Sequence, residues 1–127
     1  MDSSLREDFF RNWFAEWAPE MPVHGWATQL LVHQIEEEPE EAWDLILGLV
    51  ARASDDDSLG WVAAGPLEDL LCEHGKTLID RVEQRARTDA KFNQCLRGVW
   101  GSNRMEPSVY ARIVSVTPGN RPAGERA

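Results

Sequence analysis

Cysteine is scarce: Cys72 and Cys95 are the only two in 127 residues. Their spacing matches no metal or redox motif, so a zinc module and a disulfide framework are both disfavoured. Free thiols in a cytoplasmic protein are the plain expectation. Long apolar runs are missing too; none approaches the roughly 18–20 residues of a membrane span. Residues 1–10, MDSSLREDFF, are acidic and amphipathic, unlike a signal peptide. Catalytic signatures are equally thin. There is no G-x-S-x-G and no H-E-x-x-H, and AAGP at 63–66 has one Gly and no following Lys for phosphate. DDDSLG at 55–60 lacks the spacing and closing Glu of a calcium loop. No metal or cofactor is therefore expected.

Basic residues are rare over the first 75 positions. Only Arg6, Arg11 and Arg52 stand there against 17 acidic side chains, a net of −14, whereas residues 76–127 carry a net of +5. An acidic half of this strength disfavours nucleic acid, whose phosphates it repels. It can steer a basic partner instead. Two clusters stand out: Glu36, Glu37, Glu38, Glu40 and Glu41, then Asp55, Asp56 and Asp57. Two solvated helix ends explain them simply; a docking surface for a basic protein is the sharper reading. Arg81, Arg85, Lys76 and Arg87 serve equally as phosphate contacts, as a solvated face, or as partners for the chain's own acidic half.

What is present in quantity is helical periodicity. An apolar fraction of 43%, with six Trp and four Phe, suffices for one core. Ser4 and Glu7 have capping-box spacing, and Phe10, Trp13, Phe14 and Trp17 follow at helical intervals until Pro19 and Pro22 end the run. A second helix is expected from about Val23 to Glu37, with Trp26, Ala27, Leu30 and Leu31 inward. Pro39 suits the first turn of a third, apolar on two faces through Ala42, Leu45, Ile46, Leu49, Ala53 and through Trp43, Leu47, Val50. Asp57 or Ser58 is expected to cap the next helix, and Gly65-Pro66 to break it. Glu68 and Asp69 then start a new helix that Gly75 closes. Further helices carry Leu78, Ile79, Val82, Ala86, with Glu83 paired to Arg87, and Phe92, Cys95, Leu96, Val99, with Gly101 closing the latter. Residues 107–114 read as a short helix, although VYARIVSV also has strand-like character. The expected architecture is all-α: an antiparallel stack of about six to seven short helices, with HEAT-type pairs one way to arrange them. A single domain over 1–116 and a disordered Pro/Gly tail over 117–127 complete it.

Residues 61–71, W-x-A-A-G-P-L-E-D-L-L, together with His74-Gly75, Ile79-Asp80 and Gly98-Val99-Trp100, resemble a family of small bacterial proteins known only as a domain of unknown function. The resemblance spans about residues 26–114. It implies a bacterial, cytoplasmic, helical protein and brings no activity with it.

Three functional readings remain open. The first is a non-enzymatic interaction module, such as an immunity or antitoxin-type protein, that engages a basic partner through Glu36, Glu37, Glu38, Glu40, Glu41, Asp55, Asp56 and Asp57. The second is a small hydrolase or metal-dependent enzyme built on Glu68, Asp69 and His74; it requires these groups to converge on one pocket. The third is an acidic mimic of nucleic acid. Trp17 and Trp100, at helix ends, are the expected exposed aromatic anchors.

Overall fold

Apolar side chains at helical spacing build every element of the computed structural model, which describes residues 1–20, 24–101 and 103–118. Among those residues the chain is all-α. Seven helices follow one another: α1 (Ser3–Trp17), α2 (Trp26–Glu37), α3 (Pro39–Arg52), α4 (Asp56–Val62), α5 (Glu68–Thr88), α6 (Ala90–Leu96) and α7 (Pro107–Val116). The VYARIVSV run is thus helix, opened by Pro107 and burying Val109, Tyr110 and Ile113. The expected start of α2 at Val23 lies outside the described residues, as does most of the expected tail. Thr117, at the head of that tail, is instead buried, with its hydroxyl donating to the Ile113 carbonyl at 2.8 Å.

The core forms where α3 and α5 are wrapped by the rest. Leu45, Ile46 and Leu49 of α3 and Leu70, Leu71, Leu78 and Val82 of α5 are wholly buried, each such side chain contributing about 1.5–3 kcal/mol of transfer free energy. Helices α1, α2 and α3 pack in succession, while α5 touches α2, α3, α6 and α7. Inward-facing residues differ from expectation in α1 and α2. Phe9 joins Phe10 and Trp13 in the core, and Trp26 is 45% exposed, the buried face of α2 being Ala27, Thr28, Leu31 and Ile35. Trp26 keeps an edge contact with Phe9 from outside.

Helix ends account for several corrections. Asp2, not Ser4, caps α1 by accepting the Leu5 N–H at 2.8 Å. Asp55, rather than Asp57 or Ser58, caps α4; Ser58 is the other half of that capping box. Asp89 caps α6 by accepting the Phe92 N–H at 3.0 Å. Glu83 pairs with Arg112 of α7 instead of Arg87, because α7 lies against α5 and offers a guanidinium donating to both carboxylate oxygens. Helix α6 ends at Leu96, so Gly101 lies beyond it.

Gly65-Pro66 does not break the chain's helix. Residues Ala63–Leu67 form a π-helical turn that joins α4 to α5. Proline lacks an N–H and its ring collides with the carbonyl four residues back in an α-helix; the wider π-turn relieves both demands. The Glu68 N–H reaches back five residues to Ala63. The apolar stripe therefore continues through it: Leu59, Val62, Ala63, Pro66, Leu67, Leu70 and Leu71 are all buried. The sharp departure comes later, at His74, whose backbone (φ −129°, ψ 19°) kinks α5. Gly75 follows inside α5 and is no terminator. It is needed for space: a Cβ there would lie 2.8 Å from Cγ1 of Val109, where α7 crosses.

Two other helical glycines make opposite predictions. A Cβ on Gly60 meets nothing within 4 Å, so Gly60→Ala should stabilise the protein by about 0.5–1 kcal/mol through helix propensity. A Cβ on Gly48 would collide with the buried Phe10 ring; Gly48→Ala should destabilise by about 1–3 kcal/mol. Urea unfolding of both variants checks the pair.

Candidate functional site

The eight expected partner-binding carboxylates occupy the two ends of α3, a 14-residue helix about 21 Å long. They are not equivalent. At the α2–α3 corner Glu40 forms a two-pronged pair with Arg81, at 2.6 and 2.5 Å, and its pKa is lowered by that hydrogen bonding. Glu41 faces Arg6 at 3.6 Å. At the other end Asp55 is the α4 cap, and Asp56 accepts a bond from Gln94. Of the eight, Glu36, Glu37 and Glu38 at one corner and Asp57 at the other are exposed with neither an ion pair nor a side-chain hydrogen bond among the described residues. The basic half thus spends part of its charge on the acidic half, and Lys91 does so without a carboxylate. Its ammonium donates to the Ala51 and Ala53 carbonyls at the end of α3, at 3.1 and 2.7 Å.

Glu68, Asp69 and His74 go separate ways. Glu68 is the first residue of α5, as expected, but the π-turn leads into it and its carboxylate serves elsewhere: it is 8% exposed and ties down the segment after α6. Oε1 accepts the Trp100 N–H and Oε2 accepts from Arg104, both at 2.9 Å, while Arg104 also donates to Asp69 at 3.0 Å. Burial raises the Glu68 pKa, outweighing the lowering by the Trp100 N–H and the guanidinium. His74 Nε2 lies 2.7 Å from the Ile35 carbonyl; a carbonyl only accepts, so Nε2 carries the hydrogen. It satisfies an otherwise unpaired carbonyl in the last turn of α2. Asp69 and His74 line different depressions, and among the described residues no three His, Cys, Asp or Glu side chains gather as a metal site. Cys95 is buried against the Leu59 carbonyl and its thiol is pushed up to about 12 by burial. Cys72 is partly buried, and burial raises its pKa too.

An apolar concavity lies elsewhere, between α1, α2 and the π-turn. Trp13, Trp17, Val32, Ile35, Pro66 and Asp69 are among its walls, and its volume including the open mouth is about 450 Å³. One wall is a stack of rings: Trp17 lies on Trp13 at 5.3 Å between centroids, and His24 lies on Trp17 at 5.8 Å. The Trp17 indole N–H donates to the Thr28 hydroxyl at 3.0 Å, and that hydroxyl donates to Glu16 at 2.7 Å. The Glu16 carboxylate also accepts the N–H groups of Gly25, Ala27 and Thr28, at 3.1, 3.0 and 2.8 Å. It is the N-terminal cap of α2, supplied by α1, because Gly25 has no side chain to give. Burial raises its pKa, but the Thr28 hydroxyl and the three backbone bonds outweigh burial and leave it lowered. Trp17 is consequently half-buried in this wall, while Trp100 is exposed as expected.

The family model for DUF6869 matches residues 17–120. The chain belongs to this family of unknown function. Neither the curated proteins nor the solved structures yield a match. The DUF6869 span extends slightly past the 26–114 expected from the G-P-L-E resemblance, and takes in Trp17, all of α2, the π-turn and the Arg104 clamp. Sequence reasoning passed over Glu16, Arg104 and the groove. Trp13 and Trp17 at i, i+4 were the available signal, yet the same spacing marks any core-facing helix. Nothing local distinguishes Glu16 from a solvated glutamate.

Glu16, half-buried, and Glu68, buried, should titrate with opposite consequences. Glu16, lowered from an ordinary 4.5, contributes stability that is full above 4.5 and lost as pH falls through its folded pKa. Glu68, raised from 4.5, favours the folded state below 4.5 and loses that contribution as pH rises through its folded pKa. Glu16→Gln should therefore cost about 1–2 kcal/mol at neutral pH and flatten the acid limb of a stability–pH profile. Arg104→Ala, which strips Glu68 of its guanidinium, should cost about 1–3 kcal/mol at pH 7 and less at pH 4. Urea unfolding across pH 3–8 reads both.

Proposed function

We propose that this protein is a non-enzymatic interaction module that binds a basic protein, in the manner of an immunity or antitoxin protein of a bacterial cytoplasm. The observation carrying the reading is the acidic corner between α2 and α3. Half of the expected set has internal partners, but Glu36, Glu37 and Glu38 stand exposed and consecutive with no ion pair among the described residues. Three such charges raise the local potential toward a cation without stabilising the fold, which is what a docking surface requires. Free cysteines, one of them buried, fit a reducing compartment. Glu40 and Glu41 belong to the same acidic corner and take a supporting part; Asp55, Asp56 and Asp57 are the counterpart at the far end of α3.

Tagged protein should recover a basic partner from its source cells at low salt and much less at about 0.5 M, where the Debye length falls to a few Å. Reversing Glu36, Glu37 and Glu38 to Lys together should reduce recovery at least tenfold. Reversing Asp57 alone should change it little. Equal recovery by the triple variant would overturn the assignment to this corner. Competition by duplex DNA or RNA for the recovered partner would turn the reading toward a nucleic-acid mimic.

A further inference from the structure

The groove between α1, α2 and the π-turn adjoins that acidic corner. Val32 and Ile35 form part of its α2 wall, and Val32 is 47% exposed. Glu36 sits one helical turn beyond Val32, on the same face of α2. Asp69 also lines the groove, with its carboxylate already paired to Arg104. Every wall residue comes from the first 75 positions, the half of the chain with a net charge of −14. An apolar slot of aromatic rings with carboxylates along its rim is unfavourable surface to leave in water. It is suited to an apolar side chain with cationic neighbours.

We propose that this groove is where the partner is read: a basic segment seats one apolar side chain against Trp17 and Val32 and sets a flanking Arg or Lys side chain beside Glu36. This rests on the interaction-module reading and names the chemistry of its partner. The π-turn makes the slot possible. It keeps Pro66 on the buried stripe with Gly65 beside it, and Gly65 presents no side chain to the Trp17 ring, 3.5 Å from where a Cβ would stand. Rigidity on the other wall comes from the Glu16–Thr28–Trp17 bonds, so the aromatic surface is formed before anything binds.

The test is selection of a displayed library of random heptapeptides on the intact protein, followed by fluorescence titration of the consensus peptide. Trp17 lies in the groove wall and reports occupancy. Selected peptides should carry a Leu, Met, Phe or Trp flanked by Arg or Lys. Binding should weaken at least tenfold in Val32→Lys, and again in Glu36→Lys. Both positions are exposed, so circular dichroism should show each variant folded. Gly65→Ala should weaken binding by narrowing the slot. Absence of enrichment, enrichment of acidic peptides, or unchanged affinity in Val32→Lys would each overturn the proposal. Enrichment of purely basic peptides that lose binding on reversal of Glu36, Glu37 and Glu38 but ignore Val32→Lys would overturn the groove while leaving the acidic module standing. Loss of the cellular partner by neither set of variants would remove both.

Discussion

Helix α2 depends at both ends on side chains from other helices. Its N-terminal N–H groups are satisfied by Glu16 of α1, and a carbonyl of its last turn by His74 of α5. A twelve-residue helix is marginal alone in water, and these bonds convert α2 from a marginal segment into a strut between α1 and α5. The position of the groove follows, since one wall of it is the face of α2 between the two caps. The same device recurs: Lys91 closes the end of α3, and the Asn93 amide donates to the Val116 carbonyl at the end of α7, at 2.9 Å. Helices α1, α4 and α6 carry local caps in Asp2, Asp55 and Asp89, whereas Gly25 gives α2 none and the fold supplies it from a distance.

The opposite charges of the two halves have a related structural use. Arg81 reaches Glu40, and Arg104 bridges Glu68 and Asp69, across 41 and up to 36 residues of sequence. Exposed pairs of this kind add little stability; the buried Glu68 is different, since without Arg104 it would be a carboxylate in a nearly dry site. Charge left over after these pairings is concentrated at the α2–α3 corner. A net charge alone therefore says less about docking than the identity of the carboxylates the fold leaves unpaired.

Much of the architecture was legible in the chain itself. The spacing of Leu45, Ile46 and Leu49, of Leu70 and Leu71, and of Phe92, Cys95 and Leu96 marked buried helical faces that the structure bears out. Pro39 marked a helix start. Gly65-Pro66 misled because proline forbids an α-turn, and a π-turn satisfies that constraint as well as a break does. The uninterrupted stripe from Leu59 to Leu71 was the signal that the helix continued.

Local chemistry thus determined which segments are helical and which faces are apolar, because periodicity and propensity act over a few residues. Tertiary structure alone decided which carboxylates are bound and which are exposed, that Glu16 and His74 serve α2, and that Trp17 and Pro66 line one groove. Each of these depends on a partner 11 to 49 residues away in the chain. A hydrogen bond or a groove between distant side chains leaves no repeat in the sequence, since its geometry exists only once the helices have packed.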